Sequence, residues 1–270
     1  MPRKKVAKST VKKKTTRRRI KAPEKSRPEY LPGYEWRQDK VDRVCMFIEK
    51  FCRFTKGDNA GESITLLPWQ RDEVIAPLFG WYNKDGTRRF RNASIWISKK
   101  NGKSFLVSAL SAYMLLADGE AGAQCFSAAA DRMQAGIIAR EMIAMMKSHP
   151  SLLKQVEIVE SRNAVLHRKS NSRYTVLSSD AFRAEGIDAS FVAVDEVQLA
   201  GDRERGHVFT DRILHARGIH ETMFMGAETA APLLRKMLPD ARFETRQRMS
   251  VLSFAGSKKL TRLPRRSAIV

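Results

Sequence analysis

Apolar residues along this chain keep two rhythms. In "RQDKVDRVCMFIEKFCRF" they return every three or four positions, which sets Val41, Val44, Cys45, Phe47, Ile48, Phe51 and Cys52 on one face of a helix. "GDNAGES" then reads as a loop, "ITLLPWQRDEVIAPLFGWY" as a turn entering a helix, and "KDGTRRFRNASIWI" as a turn followed by a strand. From there the two rhythms alternate: a helix over 103–117, a strand over 123–128, a helix over 131–147, strands within 156–177, a strand at 191–194, a helix near 206–216 and a strand at 221–226. Strands that are apolar throughout belong to a sheet covered on both faces, and their alternation with helices predicts an α/β fold. The sheet is mostly parallel with helices on both faces, so ligands belong at the carboxyl ends of its strands.

Neither rhythm is present at the start of the chain. Residues 1–29 are almost bare of large apolar groups and dense in lysine and arginine, the composition of a disordered basic tail. A helical segment over 30–92 then leads to a core over 93–235 and a basic C-terminal segment over 236–270, whose last residues, "SAIV", look like a strand cut short. The formal charge is +21, which a polyanion would neutralise, and nucleic acid is the partner that fits. The tail is either a solvated or localisation segment or an arm that grips DNA or RNA. No run of some twenty apolar residues occurs and the N-terminus lacks a secretory pattern, so the expected setting is cytoplasmic, with no membrane partner. The three cysteines, Cys45, Cys52 and Cys125, have no metal-ligand spacing and read as reduced core thiols.

Candidate chemistry begins at "ISKKNGKS", between the apolar strand and the helix that follows it. A phosphate-binding loop needs exposed backbone N–H groups, a glycine close to the phosphates, a lysine on the β- and γ-phosphates and a hydroxyl on Mg²⁺. Gly102, Lys103 and Ser104 supply the last three, where the positive end of a helix also points at the anion. The usual first glycine is missing: Ile97 stands in its place. By themselves three such residues are a weak signal in a basic protein. A second signal lies about ninety residues on, where "SFVAVDE" is a buried-type strand ending in two carboxylates. This is the spacing of a P-loop ATPase, in which Asp195 holds Mg²⁺ and Glu196 orients and deprotonates the attacking water. Upstream, "LLPWQ" brings Gln70, whose amide matches the donor and acceptor of adenine, and Trp69, which is able to stack on the base. An exposed glutamine beside a packed tryptophan is an equally good account of that stretch.

Over about residues 34–196 the chain resembles the ATPase domain of the large terminase subunit of tailed phages. "LLPWQ", "SKKNGKSFLVSALSAYMLL", "SAAADRMQAGIIAREMI" and "LSSDAFRAEGIDASFVAVDE" carry the resemblance. It implies a RecA-like P-loop core in which Ser98, Lys99, Lys100, Asn101, Gly102, Lys103 and Ser104 form the nucleotide loop, because that family commonly lacks the first glycine. It also implies ATP and Mg²⁺ as ligands and double-stranded DNA, a portal protein, a small terminase subunit and a homo-oligomeric ring as partners, in the cytoplasm of a phage-infected cell. The family often has arginine at the position of Lys99, and lysine keeps its charge without its bidentate fork. Beyond Glu196, "VDEVQLAGDRERGHVFTDRILHARG" and "ETMFMGAETAAPLLRKMLP" resemble Suv3-like RNA helicases instead. That likeness implies coupling roles for Gln198, in the Asp-Glu-x-x motif, and for Thr229, in the turn Gly226–Ala230. Two resemblances meeting at one strand are the pattern of a chimera.

The resulting expectation is an ATP-hydrolysing nucleic-acid motor without the terminase nuclease. The first motor domain of an RNA helicase, and a basic nucleic-acid-binding protein with an inert ATP site, are the alternatives. Arg132 and Arg140 are candidates for a cationic finger offered to a neighbouring site. His149, His167, His207, His215 and His220 form no evident metal set, Met142, Met145 and Met146 read as helix packing, and Asp180 and Glu185 fall in a loop near the nucleotide.

Overall fold

The computed structural model of the chain describes residues 32–97, 102–129, 132–177, 189–204, 206–215 and 217–246. The basic tail over 1–29 and residues 247–270 of the C-terminal segment lie outside the described residues. The chain divides after Pro32, and the unit from Gly33 onward carries every element named below.

Strand β1 (Tyr34–Trp36) and helix α1 (Gln38–Phe51) open this unit. The face predicted for α1 is the buried one: Val41, Val44, Cys45, Phe47 and Ile48 turn inward, and Cys52 follows them. A π-helical turn at Gln70–Ile75 runs into α2 (Ala76–Gly80) and then β2 (Trp81–Asn83), which pairs antiparallel with β1. The alternation comes next: β3 (Asn92–Ile97), α3 (Lys103–Leu116), β4 (Gln124–Ala128), α4 (Arg132–Ser148), α5 (Pro150–Leu153), β5 (Val156–Val159), β6 (Ala164–His167), β7 (Ser172–Leu177), β8 (Phe191–Val194), α6 (Gly206–His215), β9 (Glu221–Gly226), α7 (Ala231–Met237) and β10 (Arg242–Arg246).

These strands form one eight-stranded sheet in the order β10-β3-β9-β8-β4-β7-β6-β5. Every pair from β10 to β7 is parallel, and the β7-β6-β5 edge is antiparallel. The α/β class and mostly parallel sheet expected from the apolar runs are therefore present. β8 and β9 are buried at every residue because they lie mid-sheet with a core on each face. Alternate side chains separate the two cores. Ile95, Cys125, Ala193, Met223 and Met225 join the core under α1, α3 and α4. Trp96, Phe126, Val192, Val194 and Phe224 join the other, with Ile213 of α6 and Leu234 of α7. Helix α3 is buried continuously from Leu106 to Leu115, while Phe105 is only partly covered and stacks on Phe54 at 5.1 Å. All three cysteines are free and buried, and burial pushes the Cys45 and Cys52 thiols up to about 12. Among the described residues no helix is long and apolar enough to cross a membrane.

Candidate nucleotide site

The strand order fixes where the chemistry meets. β9 lies between β3, which leads into the lysine loop, and β8, which ends in the two acids. All three run parallel, so their carboxyl ends share one edge of the sheet. Trp96 of β3 is level with Gly226, and Val194 of β8 with Phe224. The outer two strands are two strand spacings apart, about 10 Å, a gap that a lysine side chain rising from the start of α3 can cross.

Lys103 does cross it, and its Nζ lies 2.6 Å from Asp195 Oδ1. A cation in the first turn of a helix opposes the helix dipole, and the acid opposite offsets that cost. Gly102, just before it, holds φ +79 and ψ 14, the left-handed conformation that glycine adopts without strain. Among the described residues, no atom lies within 4 Å of where a Cβ on Gly102 would stand. Gly102, Lys103 and Ser104 thus stand at the start of α3, where the free N–H groups of a helix N-terminus suit a phosphate chain.

The metal can be tested on the same residues. Asp195 is 6% exposed and paired with Lys103, so a lysine drawn away to phosphate would leave a buried acid in need of another cation. Among the described residues no cluster of three or more histidine, cysteine or acidic groups is placed to hold an ion unaided. One carboxylate and one hydroxyl fit an ion that takes its remaining ligands from phosphates and water, the habit of Mg²⁺.

Glu196 follows at φ 57 and ψ 36, a left-handed turn that a non-glycine residue rarely takes. Its N–H donates to Asp195 Oδ1 at 2.8 Å, and its carboxylate accepts the Nε2 of Gln198. Gln198 Oε1 accepts the N–H of Ala227, just past β9, at 3.0 Å. Lys103, Asp195, Glu196 and Gln198 are therefore joined through direct contacts. The Gln198 to Ala227 link was not foreseen, although a glycine at the end of an apolar strand, Gly226, is the signal that marks close backbone approach.

The other candidates fall elsewhere. Ser98, Lys99, Lys100 and Asn101 lie outside the described residues, as do Asp180 and Glu185. Gln70 is buried in the π-helical turn, where its Oε1 accepts the Leu67 N–H at 2.9 Å, and Trp69 packs partly against the larger core. Thr229 is exposed in the short turn between β9 and α7. Arg140 folds along its own helix, and its Nη2 donates to the Met133 carbonyl at 3.0 Å. His149 meets the Phe51 ring, His167 bonds to Ser170, and His220 lies 3.3 Å from Glu120.

Comparison with known proteins bears on the same stretch. A model of the terminase large subunit ATPase domain matches residues 68–230. The terminase large subunit of Enterobacteria phage HK97 is 30% identical over 182 residues, covering 67% of this chain and 34% of that protein. This chain thus spans about a third of that relative's length. The HK97 large terminase crystal structure aligns with a TM-score of 0.58 and 21% identity over 76% of this chain and 43% of that one, a likeness of fold. The suggested chimera finds no support: the terminase match continues past Glu196 to residue 230. Physically, β9, which follows Glu196, pairs in register with β3 and β8 on either side, so both sides of the supposed junction build one sheet. A family match over more than half the chain, taking in the lysine loop, the acid-tipped strand and the strand between them, makes this protein a member of the terminase large subunit family through its ATPase domain.

Proposed function

We propose that this chain is an ATP-hydrolysing motor domain that drives double-stranded DNA, the ATPase part of a DNA-packaging terminase. The observation that carries the proposal is the 2.6 Å pairing of Lys103 with Asp195, which joins the cation at the start of α3 to the strand acid. Lys103 leaves Asp195 for the β- and γ-phosphates, where it is joined by loop N–H groups. Ser104 and Asp195 hold Mg²⁺, and the ion when bound neutralises charge on the phosphate oxygens. Glu196 orients the attacking water and takes its proton. Gln70 and Trp69 recognise adenine; Gln70 Oε1 already accepts the Leu67 N–H, so the groups left for the base are its NH₂ and the second lone pair of that oxygen. Thr229 relays hydrolysis to movement from the turn after β9. The formal charge of +21 suits a polyanionic track. By family, the partners are a portal protein, a small terminase subunit and further copies of this chain in a ring, in the cytoplasm of a phage-infected cell.

Hydrolysis by wild type and by Glu196→Gln, each alone, with duplex DNA and with single-stranded RNA, tests this. The variant is expected to bind ATP normally and turn over about 100-fold more slowly, the usual worth of a positioned base. Normal turnover in Glu196→Gln would remove Glu196 as the base. Stimulation of the wild type by RNA and not by duplex DNA would overturn the assigned track.

A further inference from the structure

The side chain of Gln198 is held at both ends. Its Nε2 donates to Glu196 Oε2 while its Oε1 accepts the Ala227 N–H at 3.0 Å, so one amide ties the turn after β8 to the turn after β9. The backbone is shaped around this tie. A Cβ at Gly226 would stand 2.5 Å from Gln198 Oε1 and 2.9 Å from Val197 Cγ2, so only glycine lets the end of β9 come so near. On the other side, Glu196 keeps a left-handed conformation that persists only where its surroundings over-determine it. The Glu196 N–H bond to Asp195 is one such restraint, and the Gln198 amide on the carboxylate is the other.

We propose that Gln198 is a positioning residue for hydrolysis, a clasp that aims Glu196 and makes that aim depend on where the end of β9 stands. The proposal rests on Glu196 being the base. A shift of about 1 Å in the Ala227 backbone stretches a 3.0 Å bond beyond useful length, and the amide that aims Glu196 is then free to turn. Movement in the Glu228–Ala230 turn is thereby felt at the base without any contact to nucleotide, and by reciprocity a change at Glu196 is felt in the turn.

Gln198→Met keeps the length of the side chain and removes both polar ends, and Gly226→Ala forces the two turns apart. Single-turnover ATP hydrolysis and the Kd of a fluorescent ATP analogue, measured on wild type, each single variant and the double variant, test the clasp. Each single variant should hydrolyse about tenfold more slowly, the loss of one hydrogen bond to a charged group, with Kd changed less than about twofold. The double variant should be no slower than the slower single one, because both changes open the same clasp. Hydrogen exchange at the Ala227 amide gives a reading without turnover and should quicken at least about tenfold in Gln198→Met, the consequence of losing its acceptor. Unchanged hydrolysis in Gln198→Met, losses that multiply in the double variant, a Kd that weakens in step with the rate, or unchanged exchange at Ala227 would each overturn the clasp. Normal turnover in Glu196→Gln would instead remove the base reading, so the two failures are told apart.

Discussion

Two ion pairs at opposite edges of the sheet are almost equally covered yet built for different ends. At the amino edge Arg88 pairs with Asp118, with side chains 7% and 10% exposed; at the carboxyl edge Lys103 pairs with Asp195, at 15% and 9%. Burial does not separate them, but their surroundings do. Arg88 lies over the Phe79 ring at 4.5 Å, reaches Met114 Sδ at 3.6 Å and has the buried Glu221 nearby, so its fork is fully engaged. Lys103 is a compact charge on a flexible stem at the start of α3. Arg88 has several neighbours besides Asp118, whereas Lys103, under the proposed function, exchanges Asp195 for phosphate.

Arg88→Met should break the enclosed pair with the largest effect. It leaves Asp118 buried beside Glu221 with no cation, and a loss of about 3–5 kcal/mol in stability is expected. Lys103→Met should cost stability far less, about 1–2 kcal/mol, because Asp195 keeps the Glu196 N–H at 2.8 Å as a donor. Its larger effect falls on nucleotide, with ATP affinity dropping on the order of 100-fold, the worth of a charge-assisted contact to phosphate. Urea unfolding and nucleotide titration of the two variants check this, and equal stability losses would erase the distinction between the edges.

Much of this contrast was legible in the chain and part of it was not. Phe191–Val194 and Glu221–Gly226 announced themselves as buried parallel strands because covering both faces leaves an unbroken apolar run. The meeting of Lys103 with Asp195 was legible because alternating strands and helices put both residues at strand carboxyl ends. Lateral neighbours were not, since hydrophobic period carries no information about which strand lies beside which, and the insertion of β9 between β3 and β8 is what brings Gln198 to Ala227. β10 escaped notice because "RFETR" is a partly exposed edge strand whose charges mask its alternation. The Arg88, Asp118 and Glu221 group was invisible for a similar reason: the three residues are far apart in sequence and meet only in the fold.

Glu221 sharpens the account of the amino edge. Burial holds its carboxyl well above the ordinary range, with Asp118 adding to the shift and Arg88 opposing it. Folded protein therefore keeps a proton that the unfolded chain releases near pH 4.3. Stability contributed by that proton is present below this value and falls as pH rises, until the folded group itself ionises. Glu221→Gln stays neutral throughout, so its stability relative to wild type should improve from pH 5 to pH 8 by up to about 1.4 kcal/mol per unit. Parallel stability curves for the two proteins over that span would show that Glu221 is ionised in the fold.

The smallest expected effect probes the start of α3 at the carboxyl edge. Among the described residues Gly102→Ala meets no atom within 4 Å, so the structural cost to expect is that of a left-handed alanine, about 1 kcal/mol. Its methyl group, however, is added next to Lys103, where the proposed phosphate chain binds. Nucleotide affinity should therefore fall by more than stability does, and crowding at the helix start should appear as weaker ATP binding in a protein that unfolds almost as wild type. An alanine variant that loses the expected stability but binds ATP undiminished would mean that phosphate does not lie there. Lys103 would then be as settled a partner of Asp195 as Arg88 is of Asp118, and the difference between the two edges would reduce to geometry without function.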